Sequence, residues 1–150
     1  MKAAIDENLP PVLAKVLNAL AEEYGHEVVH VTDLVKHGTK DLQLFAAIGK
    51  AGVQVHITLD HHHRKLVERE VIAESGLIVF VLASGWASQS IFEKASRLLR
   101  WWPLMIGHAE RMKPPAVFRV PWMIRGKGQF ESIRNVQPAR PKAKARSGRG

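Results

Sequence analysis

The stretch Ala3-Ala4-Ile5-Asp6-Glu7-Asn8-Leu9-Pro10-Pro11 sets a short apolar run against two acids and then the start of a helix. A run of this kind reads as a strand reaching the carboxyl edge of an α/β sheet, where open parallel sheets bind ligands. Two readings of the acids stand side by side. Asp6 and Glu7 either belong to a site in that crevice, or they favour the positive amino end of the next helix, with Asn8 as its N-cap.

Working outward, Leu9, Val12, Leu13, Val16, Leu17 and Leu20 recur at helical spacing, which predicts a first helix with a single apolar stripe. Pro10 and Pro11 fit its first turn, where a missing N–H costs nothing, and Gly25 stops it. Residues 27–31 predict a second strand. Thr39 reads as the N-cap of a second helix, with Asp41 in its first turn and Leu44, Phe45 and Ile48 on its inner face. Residues 53–59 predict a third strand ending at Asp60, followed by a helix over about 64–75. The unalternating run 77–82 predicts a strand buried on both faces, as at the centre of a parallel sheet. A long helix starts at Ser88 or Ser90 and runs through Trp102, where Pro103 is expected to kink or divide it. Residues 116–120 make a fifth strand, so strands and helices alternate throughout. That order predicts an α/β domain with a mostly parallel five-stranded sheet and right-handed crossovers.

Composition narrows the classes. A chain of 150 residues, 46% hydrophobic and 24% charged, reads as about one soluble globular domain. No apolar run approaches the roughly 20 residues of a membrane helix, and the amino terminus is unlike a signal peptide, so a cytoplasmic location is expected. The absence of cysteine excludes disulfides, thiolate metal sites and a cysteine nucleophile. The formal net charge is +8, but five of the 22 basic residues fall in 138–150, leaving 17 against 14 acids over the rest, or +3. The division expected is a domain over 1–121, an extension over 122–137 packed on it, and a basic tail over 138–150 that is too poor in apolar residues to order. Such a tail fits sequence-independent attraction to an anionic polymer, or simply aids solubility.

Only four aspartates occur, and three of them occupy related places: Asp6 at the tip of strand one, Asp60 at the tip of strand three, and Asp41 at the start of helix two. Right-handed connections bring these places to one edge, so the three carboxylates can face one crevice. Close carboxylates repel unless a cation offsets their charge. Oxygen ligands without cysteine favour Mg²⁺ or Mn²⁺, and such a site beside a phosphodiester points to metal-assisted hydrolysis. The alternative is that each acid separately decorates a helix start.

The segments Ile5-Asp6-Glu7-Asn8-Leu9-Pro10-Pro11, Gly25-His26-Glu27-Val28-Val29-His30-Val31-Thr32-Asp33-Leu34, Gly38-Thr39-Lys40-Asp41 and Thr58-Leu59-Asp60 together resemble the PIN-like domains related to VapC-type toxins, over about residues 3 to 121. The resemblance implies a three-layer α/β/α sandwich and a metal-dependent ribonuclease. It also implies a toxin held inactive by a cognate antitoxin, with RNA as substrate. Asp6, Asp41 and Asp60 would then be the catalytic, metal-holding acids, with Glu7 as a supporting ligand and Asn8 beside it in the motif. One departure stands out, because His62 in the triplet His61-His62-His63 occupies the place where many relatives carry a further acid.

Other features have competing readings. His62, if protonated, would touch substrate phosphate, but a solvated His-rich loop accounts for the triplet as well. Arg64 and Lys65 follow the Asp60 loop and would reach a phosphate backbone, although such charges usually mark an exposed helix face. Trp101-Trp102 fits core packing or a homodimer contact better than stacking on RNA bases. Two other functions compete. A phosphoacceptor receiver domain also places acids after its first and third strands, but it carries Lys-Pro after the fifth strand, whereas Lys113-Pro114 here precedes it. A catalytically weak PIN-like module that only binds RNA or protein is the other, motivated by His62.

Overall fold

The structure, a computed structural model, describes residues 1–59, 74–126 and 129–133; the side chain of Asp41 also lies outside this set. The strands are β1 (Lys2–Ile5), β2 (Glu27–His30), β3 (Val55–Leu59), β4 (Ile78–Leu82), β5 (Ala116–Val120) and β6 (Glu131–Ser132). The helices are α1 (Pro11–Ala21), α2 (Asp41–Lys50) and α3 (Ile91–Arg111). The helix expected over 64–75 lies mostly outside the described residues.

These strands form one sheet in the order β2-β1-β3-β4-β5-β6. The first five run parallel, and β6 is antiparallel to β5. Five strands were expected from the sequence. The sixth comes from the segment after Trp122, and two residues are too few to show an alternating pattern.

Period-two alternation divides the core into two clusters. Ala3, Ile5, Ile57, Phe80 and Phe118 pack with Leu13 and Leu17 of α1 and with Trp101 and Met105 of α3. On the opposite face Ala4, Val79, Val81 and Val117 pack with Leu44, Phe45 and Ile48 of α2. Helices therefore cover both faces, which gives the three layers of an α/β/α sandwich and explains the unbroken apolar run of β4, buried throughout.

Several local expectations change. The α1 stripe is narrower than the sequence pattern implies, since Leu9, Leu13 and Leu17 are buried while Val12, Val16 and Leu20 are exposed. One sheet face covers only part of a helix's circumference, so the full apolar arc cannot be buried. Thr39 does not cap α2, because its Oγ1 donates to the Lys36 carbonyl at 2.6 Å and Lys40 holds the N-cap position without a side-chain bond. Pro103 does not divide α3, which is one helix from Ile91 to Arg111. Buried residues on both sides of Pro103, including Trp101, Trp102, Met105 and Ile106, hold the helix through the missing hydrogen bond. Ser90 caps it, accepting from the Glu93 N–H at 3.2 Å. Trp101 and Trp102 are both buried, which removes them as platforms for RNA bases.

The segment after β5 packs on the domain. Trp122 meets Trp86 edge-on at 4.8 Å, with the Arg97 guanidinium 4.5 Å from its ring centroid. Phe130 lies against Phe80 at 5.2 Å, Trp101 at 5.0 Å and His108 at 4.9 Å. Among the described residues, no helix is long and apolar enough to cross a membrane.

His108 reports on this packing. Its burial lowers its pKa below the ordinary histidine value, and the nearby Arg111 charge lowers it further. The unfolded chain then binds a proton that the folded chain resists, so stability falls as pH drops below about 6.5 toward the folded value. Urea unfolding at about pH 7.5 and about pH 5.5 should show a loss of stability on acidification that shrinks in His108→Gln. An equal loss in that variant would assign the effect to other groups.

Candidate active site

The strand order β2-β1-β3 means that the chain leaves β1 on one side for β2 and returns on the other for β3. Such a reversal opens a crevice above the carboxyl ends of β1 and β3. Asp6 follows directly on β1, and its N–H donates to the Ile57 carbonyl at 2.9 Å, extending the β1–β3 ladder by one step. The register Ala4↔His56 and Ile5↔Ile57 then sets Asp6 beside Thr58. Alternation from Ala4 puts Asp6 on the face that α2 covers.

The carboxylate is held by a directed chain of hydrogen bonds. Thr58 Oγ1 donates to Asp6 Oδ2 at 3.0 Å and accepts from Asn8 Nδ2 at 3.1 Å. Asn8 Oδ1 accepts in turn from the Leu59 N–H at 3.3 Å. Thr58 is buried, so its one proton is committed inside the protein. Asn8 is therefore not the N-cap of α1. That position falls to Pro10, with no side-chain bond, and a helix opening on Pro11 has one donor fewer to satisfy. Asn8 instead clamps the tip of β3 to the turn after β1.

Beneath the carboxylate, His56 Nε2 lies 3.6 Å from Asp6 Oδ1, too far for a hydrogen bond but close enough for charge attraction whenever the imidazole is protonated. The His56 ring meets Phe45 of α2 edge-on at 5.3 Å. Asp41 is the first residue of α2, four residues ahead of Phe45, so its backbone lies one turn from a residue that touches the floor of the Asp6 site. Asp60, the residue after β3, and His62, Arg64 and Lys65 lie outside the described residues.

Glu7 faces a different task from its neighbour. Its Oε2 accepts from the Gly38 N–H at 2.9 Å and lies 2.8 Å from His37 Nδ1. Gly38 has φ of 84°, a left-handed conformation that glycine adopts without strain and that aims its N–H at the carboxylate. Glu7 thus anchors the loop that leads into α2 and Asp41. Among the described residues, no three His, Cys, Asp or Glu side chains gather as a metal-binding group. The Asp6 carboxylate, oriented in advance by the Thr58 hydroxyl, has the hard-oxygen chemistry that suits a divalent cation such as Mg²⁺ or Mn²⁺.

His56 and Thr58 were not singled out from the sequence. Their signal is present all the same: two polar residues at i and i+2 in an otherwise apolar strand share one face, and that face leads to the acid. No local pattern marks His30. It is buried, with Nε2 2.7 Å from the Leu9 carbonyl and Nδ1 2.6 Å from Thr32 Oγ1, and so ties the end of β2 to the turn beyond Asp6.

Strand order, switch-point crevice and tip carboxylate define a doubly wound α/β domain with an acidic site at its carboxyl edge. A receiver domain would share the order of the first five strands, but Lys113 lies before β5, at the edge opposite Asp6. The chain belongs to the PIN-like domain family, whose match covers residues 1–84 and so includes Asp6, Asp41 and Asp60. PIN domains are generally nucleases and typically use divalent metals. No curated protein and no solved structure matches the chain.

Thr58→Val removes the hydroxyl's bonds to Asp6 and to Asn8 with little change of volume, leaving Asp6 Oδ2 without its Thr58 donor. The expected cost is about 1–3 kcal/mol of folding stability by urea denaturation, with Thr58→Ser, which keeps the hydroxyl, recovering most of it. Equal stability of parent and Thr58→Val would mean that the hydroxyl chain contributes nothing.

Proposed function

We propose that this protein is a metal-dependent endoribonuclease, the toxin of a toxin–antitoxin pair, in which Asp6, Asp41 and Asp60 hold Mg²⁺ or Mn²⁺. The observation that carries the reading is the Asp6 carboxylate, fixed by Thr58 at the β1–β3 switch point, on the face whose covering helix begins at Asp41. Membership of the PIN-like family supports the nuclease class.

Asp6, Asp41 and Asp60 would hold a divalent cation, which would supply a more acidic water and offset charge developing on phosphate. The chain's own residues supply position. Thr58 holds Oδ2 of Asp6, which leaves Oδ1 as the oxygen for a ligand, and Asn8 keeps Thr58 oriented. Glu7, assigned in this reading as an outer partner of the metal acids, fixes the loop before Asp41. Arg64, Lys65 and His62 would contact the RNA backbone, and the basic tail would add sequence-independent attraction.

Parent protein should cleave single-stranded RNA only with Mg²⁺ or Mn²⁺ present, and Asp6→Asn or Asp60→Asn should abolish cleavage while leaving far-UV circular dichroism unchanged. Variants that cut as fast as the parent would remove the assignment. Thr58→Val should also weaken Mn²⁺ binding by about 10–100-fold in calorimetry, the usual cost of losing the group that is hydrogen-bonded to a metal ligand. A parent that binds no Mn²⁺ would favour the reading as a non-catalytic binding module, which His62 in place of an acid motivates. The toxin assignment rests on the resemblance to VapC-type toxins. Growth arrest on expression, relieved by a small protein encoded beside this chain, would bear it out.

A further inference from the structure

The chain between β5 and β6 is pinned at its start. The Val120 carbonyl accepts from the Ala83 N–H and from Trp86 Nε1, each at 3.0 Å, and Arg97 of α3 donates through Nη1 to the Trp122 carbonyl at 3.1 Å. Beside these bonds lies a pocket of about 580 Å³, with walls that include Pro121, Trp122, Met123, Arg125 and Phe130. Its volume is that of a small-molecule site, roughly 300–1,000 Å³. Met123 is 55% exposed and Arg125 is exposed as well, so the pocket opens to solvent. Among the described residues no carboxylate pairs with Arg97 or Arg125. The acid at the pocket, Glu131, stands opposite Arg119 in the β5–β6 register.

We propose that this pocket receives a base of the single-stranded RNA whose scissile phosphodiester lies at Asp6, a role that rests on the nuclease reading and adds a substrate subsite to it. Position is the first argument. Strands β1, β3, β4 and β5 are neighbours in that order and run parallel, so the chain after β5 leaves the sheet at the same carboxyl edge as Asp6. Three strand spacings, roughly 14 Å, separate the two strand tips, a span that a short stretch of linked nucleotides covers. Chemistry is the second. The Trp122 indole, the Phe130 ring and the Met123 thioether offer apolar and aromatic surface to a planar base, the contact by which unpaired RNA bases are commonly held. The guanidinium of Arg97, 4.5 Å from the Trp122 ring centroid, and that of Arg125 stand beside this surface, where they suit the phosphates flanking the base. An apolar peptide would leave both cations unused. A free nucleotide has the same chemistry but makes no use of the shared edge, which favours the strand.

Tryptophan fluorescence of the full chain tests this, because Trp86, Trp101 and Trp102 are buried and Trp122 is not. In EDTA, with Asp6→Asn as the starting protein so that nothing is cleaved, a short single-stranded RNA of mixed sequence should quench the emission. An abasic strand of the same length should not. Trp122→Leu should weaken binding of end-labelled RNA roughly 5–100-fold in anisotropy, the usual effect of losing an aromatic contact to a base, with Trp122→Phe close to the starting protein. Arg125→Gln should lower the slope of log affinity against log salt by about 0.7, the share of one phosphate contact. Met123→Glu, at an exposed position, should also weaken binding, and it keeps the proposal testable where Trp122→Leu disturbs folding. Absence of quenching would overturn the proposal, as would an equal quench by the abasic strand or RNA affinity unchanged in Met123→Glu. An equal quench by a mononucleotide at the same concentration would overturn it in favour of a free-nucleotide site. Neither metal nor cleavage enters these measurements. A chain that binds RNA in this way but never cuts it counts against the nuclease reading alone, and one that cuts without quenching counts against the subsite alone.

Discussion

Strand β1 is hydrogen-bonded along both edges, to β2 and to β3, and Ala3, Ala4 and Ile5 within it have no exposed surface. A strand held in this way cannot shift without breaking two ladders and opening the packing on both faces. Everything at the carboxyl edge inherits that rigidity. The Asp6 N–H extends the β1–β3 ladder, so the acid is positioned by backbone bonding before its side chain makes any contact. A carboxylate placed by a rigid sheet rather than by a loop is well suited to chemistry that tolerates little displacement.

The polar groups around Asp6 extend that control outward. Asn8, Thr58 and Asp6 form a sequence of donors and acceptors with one direction, because Thr58 is buried and its proton goes to the carboxylate. Glu7 does comparable work for the other side of the crevice by holding Gly38 and His37 before α2 begins. Adjacent acids in the sequence therefore act on different structures: one on the site itself, the other on the approach to Asp41. His56, packed against Phe45, joins the two through the core beneath.

The sheet also separates tasks by face. The α2 face carries the polar residues at the strand tips, whereas the α1–α3 face carries the larger aromatic core and, outside it, the uncovered ridge of α1. Trp122 and Phe130 close the β5 end of the same core, so residues beyond the family match at 1–84 contribute to the folded domain rather than merely following it.

The sequence alone determined the alternation of strands and helices, because period-two and period-3.6 patterns are local and survive without knowledge of neighbours. It also placed Asp6 at a strand tip and Asp41 at a helix start. Tertiary structure decided what those patterns cannot encode. Which part of the α1 arc is buried depended on how much helix one sheet face can cover, and so Val12, Val16 and Leu20 ended outside. Asn8 had the residue type of a helix cap, but a strand distant in sequence offered its side chain two partners, and it took them. Pro103 had the chemistry of a helix breaker, yet core packing on both sides carried α3 through it. His56 and Thr58 stood out by pattern as polar residues on one face of an apolar strand, but their roles did not, for the same reason: a side chain's task is set by what lies beside it in space, and strand pairing across some fifty residues of chain put Asp6 there.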